Sequence, residues 1–186
     1  GYARTLYESG RALRRDPVAA FMIVLGMAFG ISGVAGMLLT QPFLQRHGVP
    51  LGAFGLFLVP VQLLSIVGAL VAYRLPRIFG FARSMALLFI APGVALMLMG
   101  LADQLAMFAG FAVSRLAFSL RMPLAIDYIN RRTASDIRAT VLSVQPLGRS
   151  LVLAVMAPVV GLIAERSSTG AFAAIGALTL VTGGTA

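Results

Sequence analysis

Residues 115 to 149 hold side chains that apolar segments ordinarily exclude. Arg115 and Arg121 lie inside one hydrophobic run, and Gln145, Pro146 and Arg149 lie inside the next. The short connection between the runs carries Asp127, Asn130, Arg131, Arg132, Asp136 and Arg138. Desolvating an ion is costly, so a charge within such a run faces protein or water and carries a role in structure or function. Counted from a boundary near residue 128, Arg115 lies roughly 20 Å deep and Arg121 roughly 10 Å. Arg149, about 10 residues into its run, lies roughly 15 Å deep. At 10 Å Arg121 can snorkel to the surface on its long stem, whereas Arg115 and Arg149 cannot easily do so and are expected to face protein or water. No carboxylate of this chain falls at their depth, so their partners are backbone carbonyls, another bundle or an anionic ligand. Gln145 precedes Arg149 by one helical turn, and the two together could hydrogen-bond a carbonyl or carboxylate. The plainer reading of each arginine is an inter-helix structural pair. Asp127 and Arg131, four apart, read as a structural ion pair on one helix face.

The elements that must position these groups are membrane spans. Of 186 residues, 59% are hydrophobic and only 11% charged, and the mean hydropathy is +0.94. A soluble domain is roughly 45–50% apolar and about 25% charged. The formal net charge of +9 comes from arginine alone, since the chain has no lysine. Because these arginines fall between apolar runs, they read as membrane-flanking charge rather than as a nucleic-acid interface. With no cysteine and one histidine, His47, nothing points to a thiolate or His-rich metal site, and the sequence calls for no cofactor.

The chain divides into a basic amphipathic lead-in over 1–16 and an apolar bundle over 17–186. Asp16-Pro17 makes a helix start. Spans are predicted at roughly 17–44, 51–73, 84–102, 105–128 and 139–164, with a sixth beginning near 170, each near the about 20 residues that cross the hydrocarbon layer. The last is cut short by the end of the chain, which reads as a piece of a longer protein. Gly26 and Gly30 form a G-x-x-x-G step for close helix approach. Gln62 and Ser65 share a face near the middle of the second span, and Gln41 lies near the far end of the first; all three are candidate polar contacts for a solute. The uniformly apolar third span, expected to kink at Pro92-Gly93, reads as facing lipid.

Arginines mark one set of span ends: Arg4, Arg11, Arg14, Arg15, then Arg74, Arg77, Arg83, then Arg131, Arg132, Arg138. The opposite ends carry only Arg46 and Arg166. The positive-inside rule places the first set, and the start of the chain, in the cytoplasm.

The loop from Gly68 to Arg83 (GALVAYRLPRIFGFAR), the opening of the fifth span at Arg138 (RATVLS) and its close at Pro158 (PVVGLIAER) resemble the C-terminal half of a major facilitator superfamily transporter. Tyr73 and Arg74 stand where that family's loop carries an acid. The resemblance implies an all-α polytopic bundle of about six spans in a bacterial cytoplasmic membrane, working with an N-terminal six-helix half. It implies secondary transport of a small organic solute by alternating access, with drug efflux by proton antiport as the first expectation; Arg115 and Arg149 leave organic-anion transport as the alternative. In such a half the first and fourth helices line the cavity, the second and fifth face the partner half, and the third and sixth face lipid. Arg74, Arg77, Gly80 and Arg83, with Asp127, Arg131 and Arg138, become gating or topology residues. Any proton-carrying acid is then expected in the other half.

Two other classes are set beside this one. Gly30-Ile31-Ser32-Gly33 resembles the nucleophile motif of rhomboid intramembrane proteases, but a serine nucleophile needs a base in reach and no histidine follows His47, so the chain is not read as an enzyme. The other is a membrane subunit that transports nothing itself.

Overall fold

The computed structural model describes the backbone of residues 17–132 and 135–184, with side chains over 24–128 and 148–183 and at 130, 131 and 146. The expected lead-in over 1–16 and the side chains of Arg132, Arg138 and Gln145 lie outside the described residues. The described elements are all helical: α1 (Pro17–Leu38), α2 (Thr40–Arg46), α3 (Phe54–Val71), α4 (Arg74–Phe79), α5 (Phe81–Leu101), α6 (Ala109–Arg132), α7 (Ser135–Arg166) and α8 (Ser168–Gly184). Single 3-10 turns at Leu51–Ala53 and Leu105–Phe108 lead into α3 and α6.

Among the described residues, five segments are long and apolar enough to cross a membrane: Val24–Arg46, Leu51–Val71, Phe81–Leu101, Leu105–Tyr128 and Gly148–Arg166. The sixth apolar helix, Ser168–Gly183, is shorter; its length corresponds to about 25 Å at 1.5 Å per residue, under the roughly 30 Å of the hydrocarbon layer. The chain thus has the helices of a multi-pass membrane protein, five at full length where about six were expected.

The first span runs through a local loosening at Leu39. Pro42 has no N–H to give the Leu38 carbonyl, so one helical bond is lost between α1 and α2, while Leu39 N donates to the Ala35 carbonyl and Phe43 N to the Leu39 carbonyl, both at 3.0 Å. The Thr40 hydroxyl donates back to the Gly36 carbonyl at 2.7 Å, a bond that competes with regular helix hydrogen bonding at this point.

The third span has two faces. α5 buries Met85, Leu88, Phe89, Leu96 and Met99, with its most extensive contact to α8, and leaves Leu87, Ile90, Val94, Leu98 and Leu101 exposed. Glycines create that contact. A Cβ at Gly100 would lie 2.8 Å from the Thr169 carbonyl oxygen, and one at Gly176 would lie 2.8 Å from both the Gly93 carbonyl oxygen and the Met97 nitrogen. Backbones this close are a packing device of membrane helices. The helix is continuous through Pro92-Gly93, where a Cβ on Gly93 would meet Leu180 at 2.7 Å. The most exposed spans are the second and fifth: 17% of the α3 window and 11% of the α7 window are buried.

Aromatic contacts hold the ends in register. Phe81 at the start of α5 stacks on Tyr128 near the end of α6, 4.2 Å between centroids. At the other end Phe43 meets Phe111 at 5.5 Å and Phe172 at 5.7 Å. There Arg46 pairs with Asp103, and His47 Nε2 lies 3.5 Å from the same carboxylate. The loop of Arg74, Arg77 and Arg83 therefore shares an end with Asp127–Arg131, while Arg46 and Asp103 share the opposite one.

Candidate functional site

A half-open cavity of about 620 Å³ lies between α1, α3, α6 and α7. Its position follows from small residues on α1. Gly30 packs on α7, where an added Cβ would meet the Arg149 carbonyl oxygen and Val152 at 3.2 Å. Gly33 and Gly36, one and two turns further on, have nothing within 4 Å of an added Cβ and line the open space. One glycine of the row thus brings α7 in, and the next two leave room beside it.

Three of the polar groups singled out in the sequence meet at this cavity. Arg115 on α6, Arg149 on α7 and Gln62 on α3 all line it. Arg115 Nη2 donates to Gln62 Oε1 at 3.2 Å, bridging α6 and α3. The Arg149 guanidinium carbon sits 5.8 Å from the centre of the Phe118 ring, a cation–π contact. Its Nε is buried without a hydrogen-bond partner, as is the Ser114 hydroxyl in the same wall. None of the described lining residues is acidic. The sequence explains why: it holds no carboxylate over 17–102, 104–126 or 137–164.

The other residues are placed elsewhere. Ser65 is buried and donates to the Val61 carbonyl at 2.9 Å on its own helix, away from the cavity. Gln41 is exposed on α2, outside the lining. Asp127 accepts from Arg131 Nε at 2.9 Å, both side chains well exposed. Arg74 Nε donates to the Tyr73 hydroxyl at 3.2 Å, and Arg77 stands 5.0 Å over the Tyr73 ring. The Arg74 hydrogen bond and charge, followed by the charge of Arg77, hold the exposed Tyr73 hydroxyl below its ordinary pKa of 10.0. Arg83 is exposed at the start of α5. Gly80 joins α4 to α5 at φ +77°, ψ 164°, a conformation essentially restricted to glycine.

Arg121 is where the structure corrects the sequence reading. It does not reach the surface but is fully buried, at 0% exposure. Its Nη2 donates to Ser32 Oγ at 2.7 Å and its Nε to the Ala117 carbonyl at 3.3 Å. Its guanidinium carbon lies 4.8 Å from the Phe29 ring centre, 4.6 Å from Phe89 and 6.0 Å from Phe118. Nη1 has no partner. One signal was present in the sequence: Arg121 shares a helical stripe with Ser114, Ala117 and Ala125, small residues that leave a neighbouring helix room for a guanidinium. Depth alone hid it, since a residue roughly 10 Å from a boundary can turn either way.

Ser32 itself donates to the Phe29 carbonyl at 3.2 Å while accepting from Arg121. Among the described residues these two are its hydrogen-bond partners. Among the described residues no three His, Cys, Asp or Glu side chains gather as metal ligands would. Comparison with known proteins brings no relative: no protein family, no curated protein and no solved structure matches this chain.

Proposed function

We propose that the chain belongs to a secondary transporter and moves a small organic anion across a membrane by alternating access. The observation that carries this reading is one cavity, walled by four apolar helices, into which Arg115 and Arg149 project with no carboxylate among the described lining residues. Two guanidiniums in a low-dielectric cleft draw an anion and repel a lipophilic cation. The apolar remainder of the wall, Phe29, Phe108, Phe111 and Leu153 among it, suits a hydrocarbon or aromatic body. The resemblance to the C-terminal half of a major facilitator transporter supports a second six-helix bundle closing the open side, against which this one rocks. Arg74, Arg77 and Arg83 then mark the cytoplasmic end in a bacterial cytoplasmic membrane. Drug efflux by proton antiport is the weaker reading, because a cationic drug finds no counter-charge here.

Thermal stabilisation of the purified protein over a panel of organic anions and lipophilic cations tests this, with wild type beside Arg149→Ala and Arg115→Ala. An anion is expected to raise the melting temperature of wild type and to lose that effect in either variant. Equal stabilisation of all three proteins by cations would return the reading to drug efflux. Proteoliposomes that bind the anion but show no flux would leave a membrane subunit that does not transport.

A further inference from the structure

Arg121 and Arg149 are linked by one ring. Both guanidinium carbons lie within 6.0 Å of the centre of Phe118, and Phe118 lines the cavity. Each arginine also keeps one buried N–H without a partner, Nη1 on Arg121 and Nε on Arg149. Arg121 stands one side chain behind the cavity wall, since the hydroxyl it binds, Ser32 Oγ, belongs to a lining residue. A fully buried guanidinium whose ionic partner is missing, with three aromatic rings around it, is costly to keep. A contact that helped only packing would be served as well by an apolar side chain of similar volume.

We propose that Arg121 and Arg149 form a two-guanidinium seat for a single carboxylate, with Phe118 as the gate that occupies the seat when it is empty. This rests on the anion reading of the cavity. With no ligand bound, the Phe118 ring serves both cations through its π face, a weak partner. When the ring turns aside, a carboxylate takes its place and accepts one charge-assisted hydrogen bond from Arg121 Nη1 and one from Arg149 Nε, a stronger arrangement. Two acceptor oxygens on one planar group match the two free donors. Phe29 and Leu153 remain beside the body of the ligand. The substrate class is therefore a monocarboxylate carrying an aromatic or branched apolar group. Arg115, tied to Gln62 on the α3 side of the same cavity, stays beside the bound ligand and adds to its hold on the anion.

Equilibrium binding of benzoate to the purified protein tests this, with benzylammonium as the cation control. Phe118→Leu removes the competing ring and keeps an apolar wall, so benzoate is expected to bind about threefold to tenfold more tightly. Arg121→Met removes the charge and keeps most of the volume, so benzoate is expected to bind at least about tenfold more weakly while the ligand-free protein melts no lower than wild type. If wild type binds benzoate and Arg149→Ala abolishes this, but Phe118→Leu binds no more tightly, the gate is wrong and the anion cavity stands. Undiminished binding by a folded Arg121→Met overturns the shared seat in the same way. If neither wild type nor Phe118→Leu binds benzoate while benzylammonium binds, the seat and the anion reading fall together. Should Arg121→Met not fold, the Phe118→Leu affinity decides alone.

Discussion

At the scale of the residue, the arginines separate by what their surroundings supply. Arg131 has a carboxylate four residues back and stays in solvent, where such a pair contributes little. Arg115 has an amide across the helix boundary. Arg121 and Arg149 have rings and an unfilled donor each. Tyr73 gives a residue-scale prediction outside the spans. Its hydroxyl is held below 10.0, chiefly by the Arg74 hydrogen bond, so its phenolate is expected to form at lower pH than in Arg74→Gln, as read by ultraviolet difference titration. The folded-state pKa is depressed, so any linked stabilisation is fully present only above the unfolded value and is lost as pH falls through the folded one. At neutral pH it contributes nothing, and wild type and Arg74→Gln are expected to melt alike there. A titration curve that Arg74→Gln leaves unmoved would show that the bond is not formed.

At the scale of the element, the glycines divide into those that bring helices together and those that keep space open. Gly93 and Gly100 on α5 and Gly176 and Gly183 on α8 recur at seven-residue spacing, and an added Cβ at each meets the opposite helix. At Gly176 the obstructing atoms are Met97 Cγ at 2.7 Å and two backbone atoms, Gly93 O and Met97 N, at 2.8 Å, and the backbone pair cannot give way by rotating. Gly176→Ala is expected to cost about 1–3 kcal/mol through overpacking. Gly33→Ala, with nothing within 4 Å, is expected to be neutral or to stabilise by up to about 1 kcal/mol from helix propensity. Unfolding of both variants by a denaturing detergent titration checks the contrast, and equal losses would contradict the α5–α8 contact. The sequence marks these glycines but does not sort them. Gly30 and Gly33 look alike in the chain, and only the approach of α7 tells packing from cavity wall. A similar ambiguity holds for α5: a uniformly apolar helix suits lipid and protein interior equally, because lipid tails are as apolar as leucine, so the chain does not say which of its faces packs on α8.

At the scale of the whole molecule, exposed apolar side chains concentrate on two helices. Leu56, Val59, Leu63 and Leu70 on α3, and Leu151, Val155 and Leu162 on α7, are each more than half exposed, and both helices contribute to the cavity wall. Lipid or a second bundle satisfies such faces, and the proposed partner half would cover them. The arginine asymmetry yields the prediction at this scale. The chain has no cysteine, so a single introduced thiol is its only one. Arg83→Cys and Arg131→Cys are expected to react with a membrane-impermeant maleimide only from the cytoplasmic side, and Gly48→Cys only from outside. Labelling of all three from one side would break the alternation of the spans. The structure places Arg83 and Arg131 at one end and the turn at Gly48 at the other through the Phe81–Tyr128 stack and the Arg46–Asp103 pair.

By itself the sequence determined the all-helical character, the rough bounds of the apolar runs, the alternation of their charged ends and the want of any carboxylate beside the deep arginines. These follow from composition and period, which need no neighbour to be read. It also singled out Arg115, Arg149 and Gln62, which the fold gathers at one cavity, because ions and amides in apolar runs stand out on desolvation cost alone. Only the tertiary structure decided that Ser65 and Gln41 lie apart from them, that α5 turns its glycines to α8, and that Arg121 points inward to Ser32, Phe29 and Phe89 rather than out to a headgroup. Each of these depends on which helix stands opposite. Helical period fixes the face a side chain occupies, and the long-range packing of helices far apart in the chain fixes what that face meets.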